Sequence, residues 1–144
     1  MDSKQLTLDT KTINEKMNYI STIKLAAILG ALTVAIGAFG AHGLAATLEQ
    51  FGRTATFETA VKYQFYHTLG IFLIGLLQAK LPHAKLLDTA VYAFLAGIII
   101  FSGSLYLLST TGTNWLGAIT PFGGVAFIAG WILVFLAAKP LAKG

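Results

Sequence analysis

Between Asp88 and Lys139 the chain runs for 50 residues without an Asp, Glu, Lys or Arg. Water-soluble domains carry about 25% charged residues, whereas this chain has 11%, with 56% hydrophobic. An α-helix needs about 20 consecutive apolar residues to cross the hydrocarbon core of a bilayer. The run is therefore two spans, with Thr110-Thr111-Gly112-Thr113-Asn114 as the turn between them. Two further uncharged stretches precede it: 24 residues between Lys24 and Glu49, and 17 between Lys62 and Lys80. Lys62 can reach the interface along its methylene stem. The first apolar stretch begins too late and runs too long for a secretory leader.

The sequence thus predicts an all-α integral membrane protein, a four-transmembrane-helix bundle. Its spans fall at about 25–45, 60–79, 89–109 and 120–138. Together they form a transmembrane domain at 23–139, between a mobile tail at 1–22 and a short tail at 140–144. A short helix around 14–23 fits within the first tail. Leu48, Phe51 and Ala55, then Phe57, Ala60 and Val61, follow helical spacing, and Glu58 precedes Lys62 by four residues. This segment reads as an amphipathic interfacial helix between helices 1 and 2. Thr120-Pro121 reads as a helix cap followed by proline in the first turn, with Trp115 as an interfacial anchor, in preference to a helix that starts at Trp115 and kinks at Pro121.

Orientation follows from the cations. Lys4, Lys11, Lys16, Lys24, Lys80, Lys85, Lys139 and Lys143 fall on one side of a four-span protein, and Arg53 and Lys62 on the other. Cytoplasmic loops carry the excess of Lys and Arg, so both termini are expected in the cytoplasm and the protein in the cell (inner) membrane. The net charge of +4 reflects this topology and not a nucleic-acid surface. With no cysteine, disulfides, thiolate metal sites and Cys nucleophiles are excluded.

The faces of the helices carry the remaining information. Ala26, Gly30, Thr33, Gly37, Gly40 and Leu44 form a small-residue stripe on the first span, suited to close packing in lipid. A second sector holds Ala31, Ala35, Ala38 and His42, and Leu25, Leu32, Ile36 and Phe39 should face lipid. The second span places Tyr63, Gln64, His67, Ile71, Ile74 and Gln78 on one side, with Phe65, Leu69, Phe72 and Leu76 opposite. The third aligns Tyr92, Ile99, Ser102, Tyr106 and Ser109. Unpaired polar groups are costly in hydrocarbon, so these polar stripes should turn inward.

His42, near the outer end of the first span, and His67, a turn or two inside the outer end of the second, sit at matched depths on antiparallel neighbours, and their imidazoles are expected to meet inside the bundle. Tyr63, Gln64, Glu58, Ser102 and Tyr106 complete a candidate polar intramembrane site. Such a pair suits a proton relay, a metal or a bis-histidine haem, but the simpler and leading reading is two imidazoles each hydrogen-bonded to Tyr, Gln or backbone. Two histidines without carboxylate or thiolate company are a weak metal signal. Glu58 could join His67, or simply pair with Lys62. Gly103, in Ser102-Gly103-Ser104, and Gly123-Gly124 mark a ligand cleft or, more simply, close helix packing. No hydrolase triad, phosphate loop or metalloprotease helix occurs.

Four segments together resemble a known family: Gly37-Ala-Phe-Gly-Ala-His-Gly-Leu44, Thr59-Ala-Val-Lys-Tyr-Gln-Phe-Tyr-His-Thr68, Phe101-Ser-Gly-Ser-Leu-Tyr106 and Thr120-Pro-Phe-Gly-Gly-Val-Ala-Phe-Ile-Ala-Gly-Trp131. The chain is similar, over Ile23 to Ala138, to the domain of unknown function 423 family. That family includes bacterial YgdD-like proteins and the eukaryotic transmembrane-protein-256 group. The resemblance implies a small polytopic membrane protein and no particular activity. The expected partners are the lipid bilayer and either a homo-oligomer or another membrane protein. No nucleic acid, nucleotide, cofactor or metal is expected. A non-enzymatic binding or accessory role leads. The alternatives are a small oligomeric transporter, proton-linked through His42 and His67, and a haem-binding subunit.

Overall fold

The structure is a computed structural model that describes residues 3–81 and 85–138. All its regular elements are helical, with no strand among the described residues. They are α1 (Ser3–His42), α2 (Ala45–Gln50), α3 (Thr54–Gln78), α4 (Lys85–Gly97), a π turn (Ile98–Ser102), α5 (Gly103–Thr111), a 3-10 turn (Asn114–Ala118) and α6 (Thr120–Ala137). Three stretches are long and apolar enough to cross a membrane: Tyr19–His42, Lys85–Thr111 and Asn114–Ala137. The tail expected at 140–144 lies outside the described residues, while the first helix begins at Ser3.

The long helices stand in a row of antiparallel neighbours. α1 packs on α3, α3 on α4, the π turn and α5, and α6 on α4 and the π turn. The small-residue stripe of α1 makes the first contact: Ala26, Thr33 and Gly40 are buried, and a Cβ on Gly40 would fall inside the Phe57 ring of α3. Leu32 and Phe39 are exposed as a lipid-facing side requires. Leu25 and Ile36 are half-buried instead, Leu25 because it packs against the core around Ile71, Ile74, Leu87 and Phe94. On α3 the two faces separate as the periodicity predicts, except that Tyr63, at the edge of the inward side, is 40% exposed. Gln64, His67, Ile71, Ile74 and Gln78 are buried, whereas Phe65, Leu69, Phe72 and Leu76 are exposed.

Three local readings are corrected. The segment at 45–62 is not one helix: α2 is six residues long, Gly52 turns the chain at φ 62°, and α3 starts at Thr54. Phe57 and Ala60 are buried in the first turns of α3 and do not lie on a surface helix. Thr120 does not cap α6. Its hydroxyl instead contacts Ser104 Oγ at 2.8 Å, and Ile119 occupies the cap position without a side-chain bond. Finally, the stripe drawn through Tyr92, Ile99, Ser102, Tyr106 and Ser109 does not share one face. Ser102 and Ser109 are fully buried, but Tyr92 and Ile99 are both 71% exposed. The π turn at Ile98–Ser102, which contains both Ile99 and Ser102, is wider than an α turn, so positions along it and beyond it leave the line extrapolated from Tyr92.

The turn expected at 110–114 is present. α5 ends at Thr111, and Gly112 takes the left-handed conformation at φ 69°, its N–H bonding Leu108 O at 3.0 Å. Glycine has no Cβ penalty there. Any side chain at Gly112 would also press on the Phe51 ring, 2.9 Å away. Arg53 Nη2 donates to Asn114 Oδ1 at 2.7 Å, so the α2–α3 connection and the end of α5 are tied together.

Candidate functional site

The polar centre of the protein is His67, on the buried face of α3 and only 5% exposed. Its ring is enclosed by aromatic side chains from three helices. Phe127 of α6 stacks on it, with centroids 3.4 Å apart and planes at 10°. Phe94 of α4 meets it edge-on at 5.2 Å, and Tyr63, one turn earlier on α3, lies at 6.0 Å. Tyr63 in turn stacks on Phe101 at 4.5 Å. These rings reach the histidine because glycines let them in. The Phe94 ring lies against Gly70 of α3 and Gly130 of α6, and the Phe127 ring against Gly97 of α4.

Both imidazole nitrogens are engaged. Nδ1 lies 2.8 Å from the Tyr63 carbonyl; a carbonyl only accepts, so Nδ1 carries the hydrogen and donates. Trp131 Nε1–H donates to Nε2 at 3.3 Å, so Nε2 presents its lone pair. The two bonds together select the neutral ring with its proton on Nδ1. A proton added at Nε2 would point one N–H at another. A metal or haem iron at Nε2 would have to displace the Trp131 indole.

A second bridge crosses from α5 to α3, where the Tyr106 hydroxyl donates to Gln64 Oε1 at 2.9 Å. The Phe57 and Tyr106 rings pack alongside, at 5.1 Å. Ser104 accompanies them, its hydroxyl paired with Thr120. The buried hydroxyls of Thr68, Ser102 and Ser109 have no protein partner. Of the residues expected to face the interior, His67, Gln64 and Ser102 are buried and Tyr106 is half-buried, whereas Tyr63 is 40% exposed and reaches the cluster only with one ring face. Periodicity did not reveal Trp131, Phe127 and Phe94, which hold the histidine. An aromatic at helical spacing reads as ordinary core until its neighbour across the helix boundary is known.

His42 does not join this group. Gly30 faces Thr68, Gly37 faces Val61, Gly40 faces Phe57 and Gly75 faces Ile23, so facing residue numbers sum to 97 or 98. That register sets His42 level with about residue 56, roughly 16 Å along the axis from His67 at 1.5 Å per residue. The expected match in depth assumed a second helix starting near Ala60. Its true start at Thr54 carries His67 several turns inward. His42 is exposed at the end of α1. Glu58 pairs with Lys62 Nζ at 3.3 Å on an exposed face. Among the described residues no three His, Asp or Glu side chains are grouped as a metal site would need.

The six glycines expected at helix contacts divide. Gly40 and Gly123 have no room for a Cβ. At Gly37 a Cβ would meet Val61 at 3.4 Å, and at Gly30 and Gly124 it would make ordinary contacts of 3.8 and 3.9 Å. Gly103 faces open space, with nothing within 4 Å.

A family model described as a protein of unknown function, DUF423, matches residues 36–124. The chain is 47% identical over 116 residues to the UPF0382 membrane protein YwdK of Bacillus subtilis (strain 168), covering 81% of this chain and 94% of that one. It is 43% identical over 118 residues to the UPF0382 membrane protein SH2409 of Staphylococcus haemolyticus, covering 79% and 94%. To the UPF0382 inner membrane protein YgdD of Escherichia coli (strain K12) it is 40% identical over 119 residues, covering 82% and 88%. No solved structure matches.

Proposed function

The chain belongs to the DUF423 family of membrane proteins, and from that premise we propose that it is a non-enzymatic, four-span protein acting by binding or assembly within the membrane. In this reading α3 is the fourth span. Its 25 residues extend about 37 Å at 1.5 Å per residue, and its polar residues Gln64, His67, Thr68 and Gln78 are buried. The observation that carries the proposal is the closed state of His67. The one buried imidazole among the described residues has both nitrogens bonded and is stacked between rings, so its role is to join α3 to α6. A group held this way serves architecture better than turnover. Purification in a mild detergent should recover a homo-oligomer or a stoichiometric membrane partner. A lone monomer under several gentle conditions would refute the assembly role.

A transporter is the second reading, favoured by the unpartnered buried hydroxyls of Thr68, Ser102 and Ser109 beside the Gln64–Tyr106 bridge. Its signature is substrate or proton flux in proteoliposomes that falls when Ser102 is replaced by Ala.

In the proposed topology both termini and the α3–α4 connection lie in the cytoplasm, following the lysine distribution. Reporter fusions after Lys85 and Lys143 should read cytoplasmic, and fusions near Gly52 and Thr113 external. An external reading at Lys143 would invert the orientation or change the number of spans.

A further inference from the structure

A cavity with polar groups in its lining, separate from His67, opens at the C-terminal end of α3. It occupies about 270 Å³ between α1, α3 and α4, and Thr22, Leu25, Gln78, Asp88, Tyr92 and Leu95 line it. Gln78 is 6% exposed, and its Nε2 donates to Asp88 Oδ1 at 2.7 Å. A carboxylate only accepts, which fixes the amide's orientation. The other end of the amide, Oε1, is left buried with no hydrogen-bond partner. The cavity therefore combines a negative charge at Asp88 with a carbonyl oxygen that lacks a donor.

We infer that this cavity binds a primary ammonium group, held by Gln78 Oε1 and the Asp88 carboxylate. An ammonium carries positive charge and three donors and no acceptor, which matches both features, and its bonds to a carboxylate are charge-assisted. The volume is that of several water molecules, enough for an aminoethyl headgroup and too small for a large solute. Leu25 and Leu95, both half-buried, supply an apolar wall. Tyr92, 71% exposed, stands at the rim. An aminophospholipid headgroup entering from the membrane fits this mixed lining, and a free small amine shares its chemistry.

The test uses the full chain in mild detergent, with native mass spectrometry to count retained lipid and thermal melting to read stability. Phosphatidylethanolamine should be retained and raise the midpoint, while phosphatidylcholine, whose quaternary ammonium has no N–H, should do neither. Gln78→Leu, which removes the buried acceptor but fills the same space, should weaken retention about tenfold. Asp88→Asn, a milder change, should weaken it as well and covers the case in which the leucine variant folds poorly. Stabilisation by millimolar ethanolamine alone would support the site and identify the source as a free amine. Equal retention of the two lipids, or wild-type retention in both variants, would overturn the inference. Neither outcome would touch the assembly proposal, which is read from oligomeric state.

Discussion

Gly123→Ala is expected to be the most damaging single-methyl substitution in the helical row. Gly123 of α6 lies against the backbone of the π turn, and a Cβ there would land on the Phe101 amide nitrogen and within 2.8 Å of its Cα. Side chains can turn aside, but backbone in a packed helix cannot, so α6 must move outward. Overpacking of this kind costs about 3 kcal/mol, and the shift would also loosen the Phe127 stack on His67 one turn further along. Gly103→Ala is the matched control. Its Cβ would enter open space, and alanine favours the helix by roughly 1 kcal/mol, so stability should hold or rise. Unfolding midpoints in a detergent titration would compare the two; equal losses would show that the α6 contact is not as close as described.

His67→Ala should be comparably damaging, at roughly 3 kcal/mol. It removes a ring packed among Phe94, Phe127 and Tyr63 and leaves the Trp131 indole N–H without its acceptor. Trp131→Phe removes the other half of that bond while retaining an aromatic, and should cost about 1 kcal/mol. The two substitutions share a partner, so their combined loss should fall short of the sum. Nitrogen NMR of labelled His67 provides an independent reading, with Nδ1 protonated and Nε2 bare. A protonated Nε2 in the folded protein would contradict the arrangement.

Much of this protein was legible in its sequence because membranes impose simple rules. The absence of charge from Thr89 to Ala138 sufficed to place two helices and their turn at Gly112. The alternation of polar and apolar residues along α3 put Gln64, His67 and Gln78 inside. Legibility ended where one helix had to be placed against another. The start of α3 at Thr54 lies in a segment whose Glu58–Lys62 pair looks like a surface helix, and that misplacement of a turn or two created a histidine pair that does not exist. The π turn at Ile98–Ser102 has no evident composition signal, yet it breaks the line that would join Tyr92 to Ser109 on one face. Gly70, Gly97 and Gly130 look like scattered small residues until the rings of Phe94 and Phe127 are seen against them. Conversely Gly103, which sits in a suggestive Ser-Gly-Ser run, touches nothing.

Those ring-and-glycine contacts have a mechanical meaning. Phe57 of α3 seats at Gly40 of α1, while Ile23 of α1 seats at Gly75 of α3. Phe94 of α4 seats at Gly70 of α3 and Gly130 of α6, and Phe127 of α6 seats at Gly97 of α4. Each interface in the row is pegged, and two of the three are pegged from both sides. Sliding any helix along its axis by one residue, about 1.5 Å, would drive a ring off its notch and into a side chain such as Ile98 or Trp131. Piston motion is thus closed to this molecule, and a stimulus arriving at one membrane surface would have to be carried across by helices tilting or parting sideways.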